Sequence, residues 1–286
     1  MKRILVVSGS RADYGLLEWP IKKLKEDGNF SVEVYSIWGE RFDSAFNLCR
    51  LNIESTSPDL MLILGDRFEI LAAATAAHLQ RIPIAHIGGG DVTEGSYDDA
   101  MRDAISRMAS LHFVTSTSAM ARLSHHGYRN VHLVGNPGVD YIRHAEWKKD
   151  RPIADPYVVV NYQAETIDGT NDFEKLVGDL PIGKHLVFIG PNPDRGNDEI
   201  RDFMRGLAEE RPSVATYYDF LPHADYLNLI FHCDCLIGNS SSLLYEAPEL
   251  GIKTKMIGKR QRGRTVPWGD ANASQRIVNT LKYCSI

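Results

Sequence analysis

Carboxylates and cations in this 286-residue chain gather at a few places where chemistry is feasible. Asp91, Glu94, Asp98, Asp99 and Asp103 follow closely on the run Gly88-Gly89-Gly90. Like charges so near one another repel and raise a carboxyl pKa, which is how such groups become acids or bases near neutrality. A charged first helical turn accounts equally well for Asp98, Asp99 and Asp103. It does not account for Asp91 directly after the glycines, so Asp91 is the stronger candidate. Asp66-Arg67 sets a carboxylate beside a guanidinium at another strand end, the place where open α/β sheets hold ligands. The plainer alternative makes Asp66 a helix cap and Arg67 a solvated cation.

Other stretches read as anion sites. Leu236-Ile-Gly-Asn-Ser-Ser-Ser-Leu-Leu-Tyr-Glu246 predicts a strand, a turn of small residues and a helix N-terminus. Backbone N–H groups, serine hydroxyls and the helix dipole there favour an anion, and Glu246, two turns into the helix, reaches neutral hydroxyls such as a ribose. Three serines capping a helix is an equally good reading of that stretch alone. A matching element opens the chain. Ile4 to Val7 is a buried parallel strand followed by Ser8-Gly9-Ser10-Arg11-Ala12-Asp13, where Arg11 places a planar cation at a helix mouth. An ordinary turn with Asp13 as helix cap explains that stretch on its own. The basic loop Gly258-Lys-Arg-Gln-Arg-Gly-Arg264 has the residues to clamp a diphosphate, or to be solvated.

The elements that must position these residues alternate strand and helix. Strands are expected at Val32–Ile37, Leu60–Leu64, Ile82–Ile87, Leu111–Thr115 and Val131–Val134. Helices are expected from about Leu16, over Phe42–Leu51, with a turn at Ser55–Pro58, and over Ile70–Leu79 and Thr117–Leu123; Gly135–Gly138 reads as a turn. The charged, proline-bearing stretch Trp147–Pro156 divides the chain into residues 1–148 and 149–286. The second half repeats the pattern, with strands at Tyr157–Val160, Leu186–Ile189, Val214–Tyr217, Cys235–Ile237 and Thr254–Ile257. Its helices are expected around Asp172–Val177, Glu199–Ala208, Tyr226–Phe231 and Leu243–Leu250, and a last helix over Asn272–Tyr283 is expected to pack back on the first half. Polar residues follow the strands again, at Asn161-Tyr162-Gln163 and Pro191-Asn192-Pro193-Asp194. The fold class is α/β, two Rossmann-like doubly wound domains facing a cleft.

Composition bounds the partners. A hydrophobic share of 43% and a charged share of 24% are those of a soluble globular protein. A net charge of −5 argues against capture of nucleic acid or an anionic membrane. No apolar run approaches a membrane span, and the N-terminus reads straight into a strand without a signal peptide. Cys49, Cys233, Cys235 and Cys284 form neither a disulfide framework nor zinc spacing, which suits a reducing cytoplasm.

Taken together, Gly9-Ser-Arg-Ala-Asp-Tyr14, Gly65-Asp-Arg-Phe-Glu69, His86-Ile-Gly-Gly-Gly-Asp-Val-Thr-Glu-Gly95, Gly238-Asn-Ser-Ser-Ser242 with Glu246, and the basic loop resemble the signature set of the hydrolysing UDP-N-acetylglucosamine 2-epimerases, in that family's order. The resemblance implies the two-domain glycosyltransferase-B architecture and a homodimer. It implies elimination of UDP across C1–C2 without metal or cofactor, then addition of water to release N-acetylmannosamine. By that resemblance Arg11, Asn192, Ser240, Ser241, Glu246 and Arg260 hold UDP, with Asp13, Arg67 and Asp194 as further substrate-binding candidates. Asp66, Asp91, Asp98 and Asp99 line the sugar site, one serving as acid or base, and Gln163 is counted with the catalytic candidates. The chain departs from the family in three ways. Asp91 stands where a glutamate is usual, Tyr162-Gln163-Ala164 where Tyr-His-Pro is usual, and the segment between the second and third strands is shorter. A glycosyltransferase of the same fold, or a UDP-sugar-binding protein without epimerase activity, are the alternative readings.

Overall fold

Parallel strands covered on both faces demand continuous apolar runs, and this chain supplies them. In the computed structural model the first strand, Lys2–Ser8 (β1), is followed by Phe30–Ser36 (β2), Leu60–Leu64 (β3), Ile84–Ile87 (β4), Leu111–Val114 (β5) and Val131–Leu133 (β6). All residues are described except 95–96, 166–175, 177, 179, 182, 193–195, 265–268 and 285–286. The strands pair in parallel in the order β2-β1-β3-β4-β5-β6, with Ile4 opposite Leu60 and Ile63 opposite His86. Alternate residues face opposite layers. Ile4, Val6, Leu62 and Leu64 pack with Leu17 and Leu24 of helix Arg11–Asp27 (α1) and with Ile277 and Leu281. Leu5, Val7, Met61 and Ile63 pack with Ile53 of helix Phe42–Thr56 (α2) and with the alanines of helix Phe68–Leu79 (α3). Helices Asp98–Met108 (α4), Thr117–His125 (α5) and Pro137–His144 (α6) complete the winding.

The chain divides into two units. Unit 1 comprises Met1–Val92, Asp98–His144 and Thr265–Ile286; unit 2 comprises Thr93–Tyr97 and Ala145–Arg264. Unit 2 has its own parallel sheet, ordered β11-β10-β7-β8-β9. Its strands are Tyr157–Asn161 (β7), His185–Ile189 (β8), Ala215–Tyr218 (β9), Leu236–Gly238 (β10) and Thr254–Met256 (β11). Helices Asn197–Glu210 (α7), His223–Phe231 (α8) and Glu246–Glu249 (α9) lie between them. Val160, Phe188 and Ile237 of this sheet share a core with Ile200 and Met204 of α7. The winding reverses between β1 and β3 in one sheet and between β7 and β10 in the other, and such switch points are where open sheets hold ligands.

Several local expectations are corrected. α1 begins at Arg11, not Leu16, because Ser10 caps it by accepting the Asp13 N–H (3.1 Å); Asp13 is therefore not the cap. α2 runs through the expected turn to Thr56. Asp66 does not cap α3, since Arg67 occupies that position without a side-chain bond. Gly135–Gly138 is not only a turn, because Pro137 opens α6. The expected helix over Leu243–Leu250 is two pieces, a 3₁₀ turn at Ser241–Leu243 and the short α9. Pro248 has no N–H for the Leu244 carbonyl, which disfavours one continuous helix from the serines, although α1 does run through Pro20. Glu246 consequently starts a helix instead of lying two turns inside one. Of the helix expected at Asp172–Val177 only Leu176 is among the described residues, helical and buried in the unit 2 core. Among the described residues no helix is long and apolar enough to cross a membrane.

The last helix, Ala273–Tyr283 (α10), is tied to unit 1 by a buried carboxylate. Asp140 of α6 is 1% exposed and accepts the N–H groups of Ala273 (3.1 Å) and Ser274 (2.6 Å), the unsatisfied donors at the start of α10. Asp140→Ala is expected to cost about 2 kcal/mol. The check is a lower urea midpoint with an unchanged slope; an unaltered midpoint would show that packing alone holds the helix.

Candidate active site

At the carboxyl end of the first sheet the organising residue is Arg102, on α4. It is 1% exposed, and its guanidinium bonds the carboxylates of Asp66 and Asp99 and the backbone carbonyl of Asp91, the last at 2.8 Å. Burial alone would lower its pKa; the carboxylates of Asp66 and Asp99, with Asp91 behind them, more than offset this and hold it well above the usual arginine value. A planar fork serves three acceptors from separate elements, which a lysine ammonium does less well. Asp91 is placed by more than Arg102. The Thr115 hydroxyl lies 3.3 and 3.2 Å from its two carboxylate oxygens. Gly90 before it has a φ of +79°, and a Cβ there would meet the Ala119 carbonyl at 2.7 Å, so the glycine is required. Asp98 opens α4 beside Asp99, both half-buried, whereas Asp103 is exposed and takes no part.

His86 fixes the turn that carries Asp66. Its Nε2 lies 2.8 Å from the Gly65 carbonyl and its Nδ1 3.1 Å from the Ser106 hydroxyl. A carbonyl only accepts, so these partners assign the proton to Nε2 and make Nδ1 the acceptor. Burial depresses the imidazole pKa to about 4, partly opposed by the Gly65 carbonyl, so the ring stays neutral at physiological pH. Arg67 is not solvated: Nε and Nη2 each lie 3.1 Å from the carboxylate of Glu69, itself 1% exposed. Asp13 stands in the neighbouring turn. Burial pushes its carboxyl up to about 7, with Arg67 and a bond to Ser10 opposing and Asp66 and Glu69 adding to the rise. Arg11 is exposed, 5.9 Å from the centre of the Trp38 ring, and the Trp38 indole N–H donates to the Ser8 hydroxyl (3.0 Å).

Unit 2 brings its candidates together through neutral amides. Gln163 is 7% exposed; its Nε2 donates to Asn161 Oδ1 (3.1 Å) and its Oε1 accepts the Asn192 N–H (2.9 Å). Asn239 completes the lattice, accepting the Gln163 N–H (2.7 Å) and donating to its carbonyl (2.8 Å). Gly238 makes this possible, since a Cβ there would lie 2.0 Å from the Asn161 carbonyl. Ser240 starts the 3₁₀ turn, its hydroxyl accepting the Ser242 N–H (3.3 Å), with Ser241 next to it. Glu246 has a raised pKa, chiefly from burial, and its Oε2 has no hydrogen-bond partner among the described residues. The basic loop folds onto the strand ends, with Arg260 Nη1 donating to the Ala164 carbonyl (2.7 Å) and the Lys259 N–H to Glu165 (2.6 Å). Asp194 lies outside the described residues.

Residues 46–268 match the family model described as UDP-N-acetylglucosamine 2-epimerase. The chain belongs to this family. It is 30% identical to polysialic acid biosynthesis protein P7 of Escherichia coli, over 92% of this chain and 80% of that one. It is 27% identical to the hydrolysing GDP/UDP-N,N′-diacetylbacillosamine 2-epimerase of Campylobacter jejuni, over 92% and 82%. Among solved structures, the Methanocaldococcus jannaschii UDP-GlcNAc 2-epimerase in complex with UDP-GlcNAc and UDP superposes with a TM-score of 0.79 at 16% identity, covering 99% of this chain and 100% of that one.

Within this 2-epimerase family member, sequence reasoning named Asp66, Asp91 and Asp99 but missed the arginine that gathers them. A signal existed: Arg102 follows Asp99 at helical i,i+3 spacing. Its reach to Asp66 had no local signal, and neither did Thr115 or Trp38; His86 stands in a quoted motif, but its bonds to Gly65 and Ser106 had no local signal. Arg102→Met, which leaves the half-buried Asp66 and Asp99 without their cation, is expected to destabilise the protein in chemical denaturation by less than the ~3–5 kcal/mol of a fully buried pair, because solvent screens both carboxylates. Arg102→Lys should fall between the two, and a lysine variant as stable as the wild type would show that charge alone suffices and the fork is irrelevant.

Proposed function

We propose that the chain is a hydrolysing UDP-N-acetylhexosamine 2-epimerase. The supporting observation is the cluster of Asp66, Asp91 and Asp99 around one buried guanidinium, in a chain matched to this family. A carboxylate takes the proton from C2 of the sugar, the C2–H electron pair forms the C1–C2 double bond, and the C1–O bond breaks as UDP leaves with its electrons. Water then adds its oxygen to C1 while a proton returns to the opposite face of C2, giving the free 2-epimeric sugar. Asp91 is our choice for proton transfer, with Thr115 orienting its carboxylate and Arg102 fixing its backbone. Asp66, Asp98 and Asp99 contact the sugar.

For the nucleotide we assign Arg11, Arg67, Asn192, Asp194, Ser240, Ser241, Glu246 and Arg260. Both ends of the Gln163 amide are engaged within unit 2, so we give it the task of presenting Asn192 in place of direct chemistry. Glutamine carries no proton near neutrality, and this assignment asks none of it. Two of the three proteins named above carry 2-epimerase names, and no separate observation favours a glycosyltransferase. The relatives' names span N-acetylglucosamine and N,N′-diacetylbacillosamine substrates, so both sugars belong in the test. Cys49, Cys233, Cys235 and Cys284 are free thiols, which suits the cytoplasmic location we infer, and the family resemblance supports a homodimer.

The test is proton NMR in deuterium oxide with each UDP-sugar. Free 2-epimeric sugar carrying deuterium at C2, with UDP released, is the expected result. Asp91→Asn should lower kcat by about 100- to 10,000-fold while leaving UDP affinity intact. Deuterium exchange that survives in that variant would move proton transfer to another carboxylate.

A further inference from the structure

Asp13 is a titratable group that the reaction above leaves unused. It sits in the first turn of α1, two residues after Arg11, and its own N–H is capped by Ser10. Its carboxyl is lodged between the turn after β1 and the turn after β3. A Cβ built on Gly65 would lie 3.8 Å from Oδ1 and one on Gly9 3.5 Å from Oδ2. Those two strands are neighbours where the winding of the first sheet reverses, the crevice in which such sheets hold ligands. The Oδ2 atom is sealed from solvent and has no hydrogen-bond partner among the described residues.

The surrounding charges do not supply one. Arg67, Asp66 and Glu69 face Asp13 from the β3–α3 side, and Ser10 from its own turn. Arg67 commits Nε and Nη2 to Glu69, and Asp66 is bonded by Arg102. A sealed anionic oxygen without a donor is costly, which favours the neutral carboxyl; Asp13 as a whole is only half-buried, and with the proton on Oδ1, the oxygen that is not sealed, it is a donor awaiting an acceptor. The helix start beside it favours an anion as that acceptor.

Resting on the nucleotide-sugar reading, we propose that Asp13 meets the substrate as a neutral carboxyl and donates a hydrogen bond to an oxygen of its diphosphate, so that binding above neutrality takes up a proton. An ionised Asp13 would instead repel the diphosphate beside Arg11. The rise of its pKa to about 7 by burial, reinforced by Asp66 and Glu69, puts this linkage in the physiological range. His86, neutral with a pKa near 4, does not titrate there.

The experiment is calorimetric titration of the intact protein with UDP, in paired buffers of different ionisation heat, from about pH 6 to about pH 9. Wild type and Asp13→Asn are compared, so that titration of UDP itself cancels. At the alkaline end the wild type should take up about one more proton per UDP than the variant, and lose affinity relative to it by about tenfold per pH unit. Equal proton counts in the two proteins would overturn the role of Asp13 and leave the nucleotide reading standing. Failure of UDP to bind either protein would overturn that reading. A folded variant that no longer binds UDP would also overturn the proposal, because asparagine keeps a donor there.

Thermal melts supply the folding control and an independent sign. A carboxyl whose folded pKa lies above its unfolded value of 3.8 contributes stability below that value, which is lost as pH rises through about 7. Asp13→Asn should therefore gain on the wild type as pH rises, and parallel melting curves would overturn the neutral carboxyl.

Discussion

A buried guanidinium with three acceptors is the constraint on which unit 1 depends. Arg102 joins the ends of β3 and α4 and the glycine turn after β4 through Asp66, Asp99 and the Asp91 carbonyl. Removing a charge of that kind from water costs several kcal/mol, recovered only when the surrounding charges and hydrogen bonds are well placed. That makes the arrangement demanding as well as strong. Each carboxylate is held where it is because the arginine must be satisfied, and the arginine is buried because the carboxylates are there. His86 works on the same turn from the other side, holding the Gly65 carbonyl next to Asp66 with a ring that stays neutral.

Unit 2 reaches similar positional control without charge. Asn161, Gln163 and Asn239 form a buried amide lattice that joins the ends of β7 and β10 and reaches Asn192 after β8. Neutral amides avoid the desolvation of ions, and each here has both donor and acceptor work to do. This gives physical sense to glutamine at 163. An imidazole at that place would have two ring nitrogens, and only a particular tautomer would bond both the Asn161 oxygen and the Asn192 N–H. The amide does both at once.

How much of this was legible depended on distance along the chain. Strands β1, β3 and β7 read directly from their aliphatic runs, because burial on both faces leaves no alternative composition. The serine loop read as a turn at a strand end for the same reason. Helix α6 is hidden in the sequence because Pro137 reads there as punctuation, although proline is well suited to a first helical position. Asp140 then had no visible purpose, its partners Ala273 and Ser274 lying far along the chain. The contact between Arg102 and Asp66 spans 36 residues and belongs to the topology of the sheet, not to any spacing. Charge alone showed that the carboxylates were unusual. What held them together required the fold.

The same logic bears on aspartate at 91. A shorter side chain has one fewer rotatable bond than glutamate, so its carboxylate position is set more by the backbone and less by rotamer choice. The backbone there is unusually determined. Gly90 takes a positive φ against the Ala119 carbonyl, and Arg102 holds the Asp91 carbonyl at 2.8 Å. Thr115 then addresses both carboxylate oxygens from β5's end. Reach lost with the methylene is thus exchanged for a carboxylate whose place follows from the sheet itself. A displacement of about 1 Å at a proton-transfer group can cost about 100-fold in rate. A clamp on the backbone is accordingly the place where this chain can accommodate the shorter residue.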